Sequence, residues 1–204
     1  MLHKLHRVSA GIIGVYVATH LFNHLLAIRS VETHIQFMAL LRYVYRNSFV
    51  ETLLLVSVTF QVVSGLYFIK NRWGQRHGFF DRLQALSGGY LAYFLAVHVG
   101  AVLFGRAALD LDTNFYYAAA GMHVSPFQYY FLPYYFLAVV AIFGHISCAI
   151  HWLTRDNWNQ ATRNYVGYTI LAMGAVTATL IVAAFAGLFY DINVPQKYSA
   201  TYQL

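Results

Sequence analysis

Charge is what this chain has least of. Asp, Glu, Lys and Arg make up 10% of its 204 residues, where a soluble domain carries about 25%. Residues 8–28, VSAGIIGVYVATHLFNHLLAI, contain none of the four, and this run matches the ~20 apolar residues a helix needs to cross a bilayer. Cysteine is almost missing: Cys148 stands alone, which excludes an internal disulfide and any thiolate-built cluster. No G-x-G-x-x-G run is present, so the dinucleotide fingerprint is lacking as well. No cleavable leader is read at the start. The run behind Lys4 and Arg7 is too long for a signal h-region and shows no cleavage pattern; with no presequence read, the expected location is a bacterial cytoplasmic membrane, an organellar inner membrane being the alternative. The formal charge of +6 is ascribed to cytoplasmic loops, and nucleic acid is not expected as a partner.

What fills the chain instead is apolar. Hydrophobic residues reach 59%, mean hydropathy is +0.53, and five spans read as transmembrane helices: residues 8–28, 52–69, 83–105, 129–153 and 166–190. Residues 29–51 read as an amphipathic surface helix, 70–82 as a basic loop, and 106–127 as a Tyr- and Ala-rich loop carrying Asp110 and Asp112. Residues 154–165 are polar and 191–204 form a short tail. With no internal repeat, the expectation is one all-α domain over residues 1–204, an integral membrane bundle of five helices. Eight Lys and Arg fall on the N-terminal side of the membrane and five on the other, which places the N-terminus in the cytoplasm. Trp73, Tyr130, Trp152 and Tyr190 near span ends fit interfacial belts.

Histidine inside such spans demands a partner, because an unpaired polar side chain in hydrocarbon is costly. Counting 1.5 Å per residue from the inner charges puts His20 roughly 20 Å and His98 roughly 24 Å deep. His145 and Gln61 both fall at roughly 15 Å. The chain therefore offers a His/His pair towards the outer side and a His/Gln pair towards the inner side. Two imidazoles at one depth point to bis-histidine ligation of haem iron in a helical bundle, with Gly11, Gly14, Gly88 and Gly89 giving clearance to a flat ring. A histidine zinc site is the weaker reading, since no carboxylate is near to complete it. His24 and His151 read as structural, bonding a neighbouring carbonyl or hydroxyl. His34, His77 and His123 fall in connecting segments and read as solvated or interfacial.

At these residues the chain resembles a known family. LHRVSAG at 5–11, HLFNHLLA at 20–27, GLY at 65–67 and LQALSG at 83–88 followed by His98 resemble the cytochrome b membrane anchors of succinate dehydrogenases and fumarate reductases, most closely the single-chain, five-helix type. The likeness covers about residues 3–165 and lies in the order and spacing of its parts. It implies haem b, with His20 and His98 as the ligands of the haem distal from the hydrophilic subunits. His145 matches one ligand of the proximal haem; its partner should fall four residues before Gly65, where Gln61 stands. One haem is therefore expected; a second would need a substitute for Gln61, such as His24 or His151. The family's quinone site maps onto His6, Arg7, Asp156 and, by stacking, Trp158; Asn157 replaces the tyrosine that usually follows the acidic residue. Glu51 is a candidate for proton exchange at a distal quinone site. The implied activity is an electron-transfer subunit that joins an iron–sulfur subunit, and through it a flavoprotein, to membrane quinone. The basic segments 70–82 and 154–165 would be its docking face. Without cluster-ligating cysteines or a dinucleotide motif this chain performs no dicarboxylate chemistry itself. A stand-alone transmembrane cytochrome b and a haem-free scaffold are the alternatives.

Overall fold

A computed structural model describes residues 1–202. The chain is all-α. Five of its helices are long and apolar enough to cross a membrane: α1 (Leu2–Leu26), α3 (Ser48–Arg72), α4 (Phe79–Ala107), α6 (Gln128–Leu153) and α7 (Gln160–Phe185). It is a multi-pass membrane protein by helix length and hydropathy. Three shorter helices, α2 (Val31–Tyr45), α5 (Phe115–His123) and α8 (Gln196–Ser199), lie between and after them.

Neighbouring spans pack in the order α1, α3, α4, α6, α7, and α7 touches α1 again. This leaves α1 and α4 facing each other across the bundle, as α3 and α6 do. Side chains at i, i+3 and i+4 share a helix face, and on α1 that inner face carries Ser9, Ile13 and Asn23, all buried. α6 and α7 approach closely at Gly174, where a Cβ would collide with Phe143.

The two ends of the bundle are unlike. On one side α2, α5 and α8 form a layer over the helix ends. Phe115, Ala119, Met122, Ala27, Val31, Ile181 and Phe185 share one apolar cluster there. Tyr198 of α8 is buried and stacks on Tyr116 of α5. Arg42 of α2 pairs with Asp112 at 2.7 Å, and Arg106 of α4 pairs with Glu51 of α3. On the other side the helices are joined only by the short turns around residues 73–78 and 154–159.

Caps explain where the sequence boundaries move. The fifth span begins at Gln160 rather than Val166 because Asn159 accepts from the amide of Thr162 at 2.8 Å, and a side-chain cap starts a helix in polar sequence as readily as in apolar. It ends at Phe185, not Tyr190. Gly187 adopts φ +81°, with Leu188 N donating to Ala183 O and Gly187 N to Ala184 O, the bonding of a Schellman stop. The segment 106–127 is not all loop: Asn114 caps Tyr116 N at 3.0 Å and opens α5.

Candidate functional site

The first helix places Tyr16, His20, Asn23 and His24 on successive turns of one face, and α4 places Phe94 and His98 opposite. The structure brings His20 and His98 together, their ring centroids 6.2 Å apart and their planes at 65°. Tyr16 stacks on His20 at 5.4 Å, Phe94 stacks on His98 at 4.9 Å, and the edge of Tyr135 closes on His98 from α6. Each imidazole is thus clamped by an aromatic one turn before it on its own helix.

A chain of hydrogen bonds leads from this pair to the α2 layer. His20 Nε2 lies 3.0 Å from His24 Nε2, and His24 Nδ1 lies 3.1 Å from His34 Nε2. His34 Nε2 also meets Asn23 Nδ2 at 3.1 Å. His34 was expected in a solvated segment; it is instead 2% exposed, packed under Phe115 and Phe185. α2 lies with its Val31, His34 and Met38 face against the helix ends, so the imidazole at its centre is the part that goes inside. Burial, with Arg42 nearby, lowers its pKa from the usual 6.5 to about 4. His123 is not simply solvated either: its Nε2 donates to Phe185 O at 2.8 Å, satisfying a carbonyl that the end of α7 leaves free.

The inner polar group is arranged differently from the expected His/Gln pair. Gln61 Nε2 donates to His6 O at 2.6 Å and to Ser9 Oγ at 3.0 Å, so its amide is spent on α1. His6 Nδ1 meets Ser64 Oγ at 2.7 Å, and both His3 and His6 lie against Phe68. His145 Nδ1 meets Ser87 Oγ at 3.3 Å. His151 stacks flat on Phe80 at 3.9 Å and joins neither group. Arg7, Asp156 and Trp158 are exposed on the side with the short turns, and among the described residues Arg7 and Asp156 form no ion pair. Glu51 is held by Arg106.

Clearance for a flat ring does not come from Gly11 or Gly14, which are exposed and where a Cβ would meet nothing within 4 Å. Counted at 100° per residue, they lie off the His20 face of α1. Gly88 does abut a histidine: a Cβ there would lie 3.2 Å from His145 Cε1.

The spacing of His20 and His98 can be tested against the group the resemblance implies. A metal–imidazole nitrogen bond of about 2 Å, with about 1 Å more to each ring centre, puts two axial imidazoles about 6 Å apart. The observed 6.2 Å fits. The donor set fits too: two histidines complete an iron whose other four ligands are porphyrin nitrogens. Among the described residues no three His, Cys, Asp or Glu side chains converge as a protein-only metal site would need. Compared with known proteins, the chain matches no family model, no curated protein and no solved structure.

Proposed function

We propose that the chain is a haem b-containing, quinone-reactive membrane anchor of a complex like succinate:quinone oxidoreductase, set in a bacterial cytoplasmic membrane with its N-terminus inside. The observation that carries this reading is the 6.2 Å approach of His20 and His98 from opposite helices. Bound there, a haem supplies a one-electron carrier inside the bilayer. Tyr16 and Phe94 fix the planes of the two ligands, and ligation through His20 Nε2 replaces its contact with His24, which keeps its bond to His34. Arg7, permanently charged, orients a quinone carbonyl at the side with the short turns. Asp156 and Trp158 sit in the turn after α6 on that same side, and His6 lies at that end of α1, against Ser64 and Phe68 of α3. The basic segments 70–82 and 154–165 meet an iron–sulfur subunit, which a flavoprotein supplies with electrons.

The test is a reduced-minus-oxidised spectrum of the purified chain made with ample haem supply. A b-type α-band is expected, and His20→Ala and His98→Ala each remove the same component. Loss of two different components refutes the pairing. The unbroken His20–His24–His34 chain favours a second reading, a haem-free scaffold whose histidines satisfy one another. A missing Soret band decides for it. A stand-alone cytochrome is the outcome if haem is present but no flavin- or iron–sulfur-containing partner co-purifies.

A further inference from the structure

At the roofed end of the bundle two guanidinium groups share one carboxylate oxygen. Asp112 Oδ1 lies 2.7 Å from Arg42 Nη2 but 3.9 Å from Arg46 Nη2, so Arg42 holds the close contact. Among the described residues the one hydrogen bond of the Arg46 side chain goes to Thr113 Oγ1, a neutral acceptor, at 3.4 Å. The adjoining pair, Arg106 with Glu51, is closed on itself. Three cations therefore meet two anions, and the surplus charge falls on Arg46.

Donors without acceptors agree with the charge count. Arg42 Nε and Arg46 Nε are both buried and have no hydrogen-bond partner among the described residues, although each guanidinium carries its N–H groups in a fixed fork. Burial, and then the neighbouring Arg42, hold the pKa of Arg46 below its ordinary value, as befits a cation short of counter-charge. The group missing from this basin is a singly charged oxyanion. Phosphate oxygens meet that need, since arginine takes them through paired N–H···O bonds.

The surroundings decide where the phosphate comes from. Arg46 follows the last residue of α2, and α3 opens at Ser48, so the basin lies at the mouth of a span, the level of lipid headgroups. Phe49, Leu53, Val56 and Val63 are exposed and recur at helical spacing, forming one apolar face of α3. Val56 and Val63 line a shallow groove there with Leu55, Thr59 and Phe60. From Phe49 to Val63 this track runs about 21 Å, deeper than one leaflet of a ~30 Å hydrocarbon core. A free phosphate makes no contact with it, whereas an acyl chain fits it. An amine-bearing headgroup finds no open carboxylate, because Asp112 and Glu51 are both taken by arginine. We propose that Arg46 and Arg42 bind the phosphate of an anionic phospholipid whose acyl chain lies along the exposed face of α3. This site needs only the membrane-spanning fold and stands apart from the haem reading.

In the experiment the purified full-length chain is stripped of lipid in detergent, phosphatidylglycerol is added back, and bound lipid is counted by native mass spectrometry. One phosphatidylglycerol per chain is expected, held at least about tenfold more tightly than phosphatidylcholine or diacylglycerol with the same acyl chains. Arg46→Gln weakens it by about tenfold or more, and Arg46→Lys, which keeps the charge but loses the fork, weakens it less. Arg29→Gln, at an exposed arginine outside the basin, leaves it unchanged. Asp112→Asn removes the competing anion and tightens binding; weaker binding in that variant means that the basin acts by packing alone, and overturns the proposal. Equal retention of diacylglycerol, or of phosphatidylglycerol by Arg46→Gln, marks an ordinary annular lipid and overturns it. Displacement of the lipid by millimolar inorganic phosphate marks a free-anion site and overturns it as well. So does lipid bound only by haem-free chain, since the carboxylates of the haem would then hold the arginines.

Discussion

Replacing His34 by leucine is the perturbation whose size the structure lets one work out. Leucine keeps the apolar bulk against Phe115 and Phe185 but strips His24 Nδ1 and Asn23 Nδ2 of their partner. A buried polar group left unpaired costs about 1–3 kcal/mol, so two of them put the loss at roughly 2–6 kcal/mol near neutral pH. The same substitution changes the pH profile. In the folded chain His34 titrates at about 4 rather than the usual 6.5, so between those values the unfolded chain binds the extra proton. Stability contributed by the neutral ring is therefore complete above pH 6.5, falls as the pH drops through the window, and reaches its floor below about 4. At 1.36 kcal/mol per unit the whole swing is about 3 kcal/mol. Unfolding in mixed micelles titrated with SDS, run from pH 4 to pH 8, reads both effects. The leucine variant is expected to be less stable at pH 7.5 and to lose up to one proton from the wild-type slope below pH 6.5. An unchanged midpoint at neutral pH, or a slope as steep as before, refutes the burial argument.

Other outcomes follow from packing and charge. Gly174→Val puts a side chain where Phe143 Cγ lies 2.7 Å from the Cβ position; forcing α6 and α7 apart is expected to cost about 1–3 kcal/mol by overpacking. Gly14→Ala, with nothing within 4 Å, is the neutral control, and equal losses in the two variants would contradict the packing. Glu51→Gln removes the carboxylate from Arg106, both side chains about a third exposed or less; a loss of roughly 1 kcal/mol that shrinks in high salt is expected. A loss independent of salt would mean the pair acts by shape rather than charge.

Hydropathy alone located all five spans, because a run of some twenty apolar residues has few other uses. Depth counting also brought His20 to His98, since both lie on helices anchored by charges at one membrane face. It failed at Gln61 and His145. Equal height does not say which way a side chain turns, and Gln61 turns to the backbone carbonyl of His6. His34 was misplaced for a related reason: an amphipathic segment between spans shows that one face is covered, not that a histidine on that face meets Asn23 and His24. α5 was hidden by its flanks, Asp110 and Asp112 before and Pro126 after, although Asn114 ahead of an Ala-rich run was a readable cap.

The layer made by α2, α5 and α8 has a consequence for how the molecule presents itself across the bilayer. A bulky soluble neighbour finds a low, open platform on one flank and a roof already built on the other. Reagents too polar to permeate should therefore label lysine and arginine around residues 70–82 freely when added from the platform flank. From the roofed flank, Arg42 and Arg106 are shielded by their carboxylates, so comparing sealed and inverted vesicles would reveal which way up the chain sits.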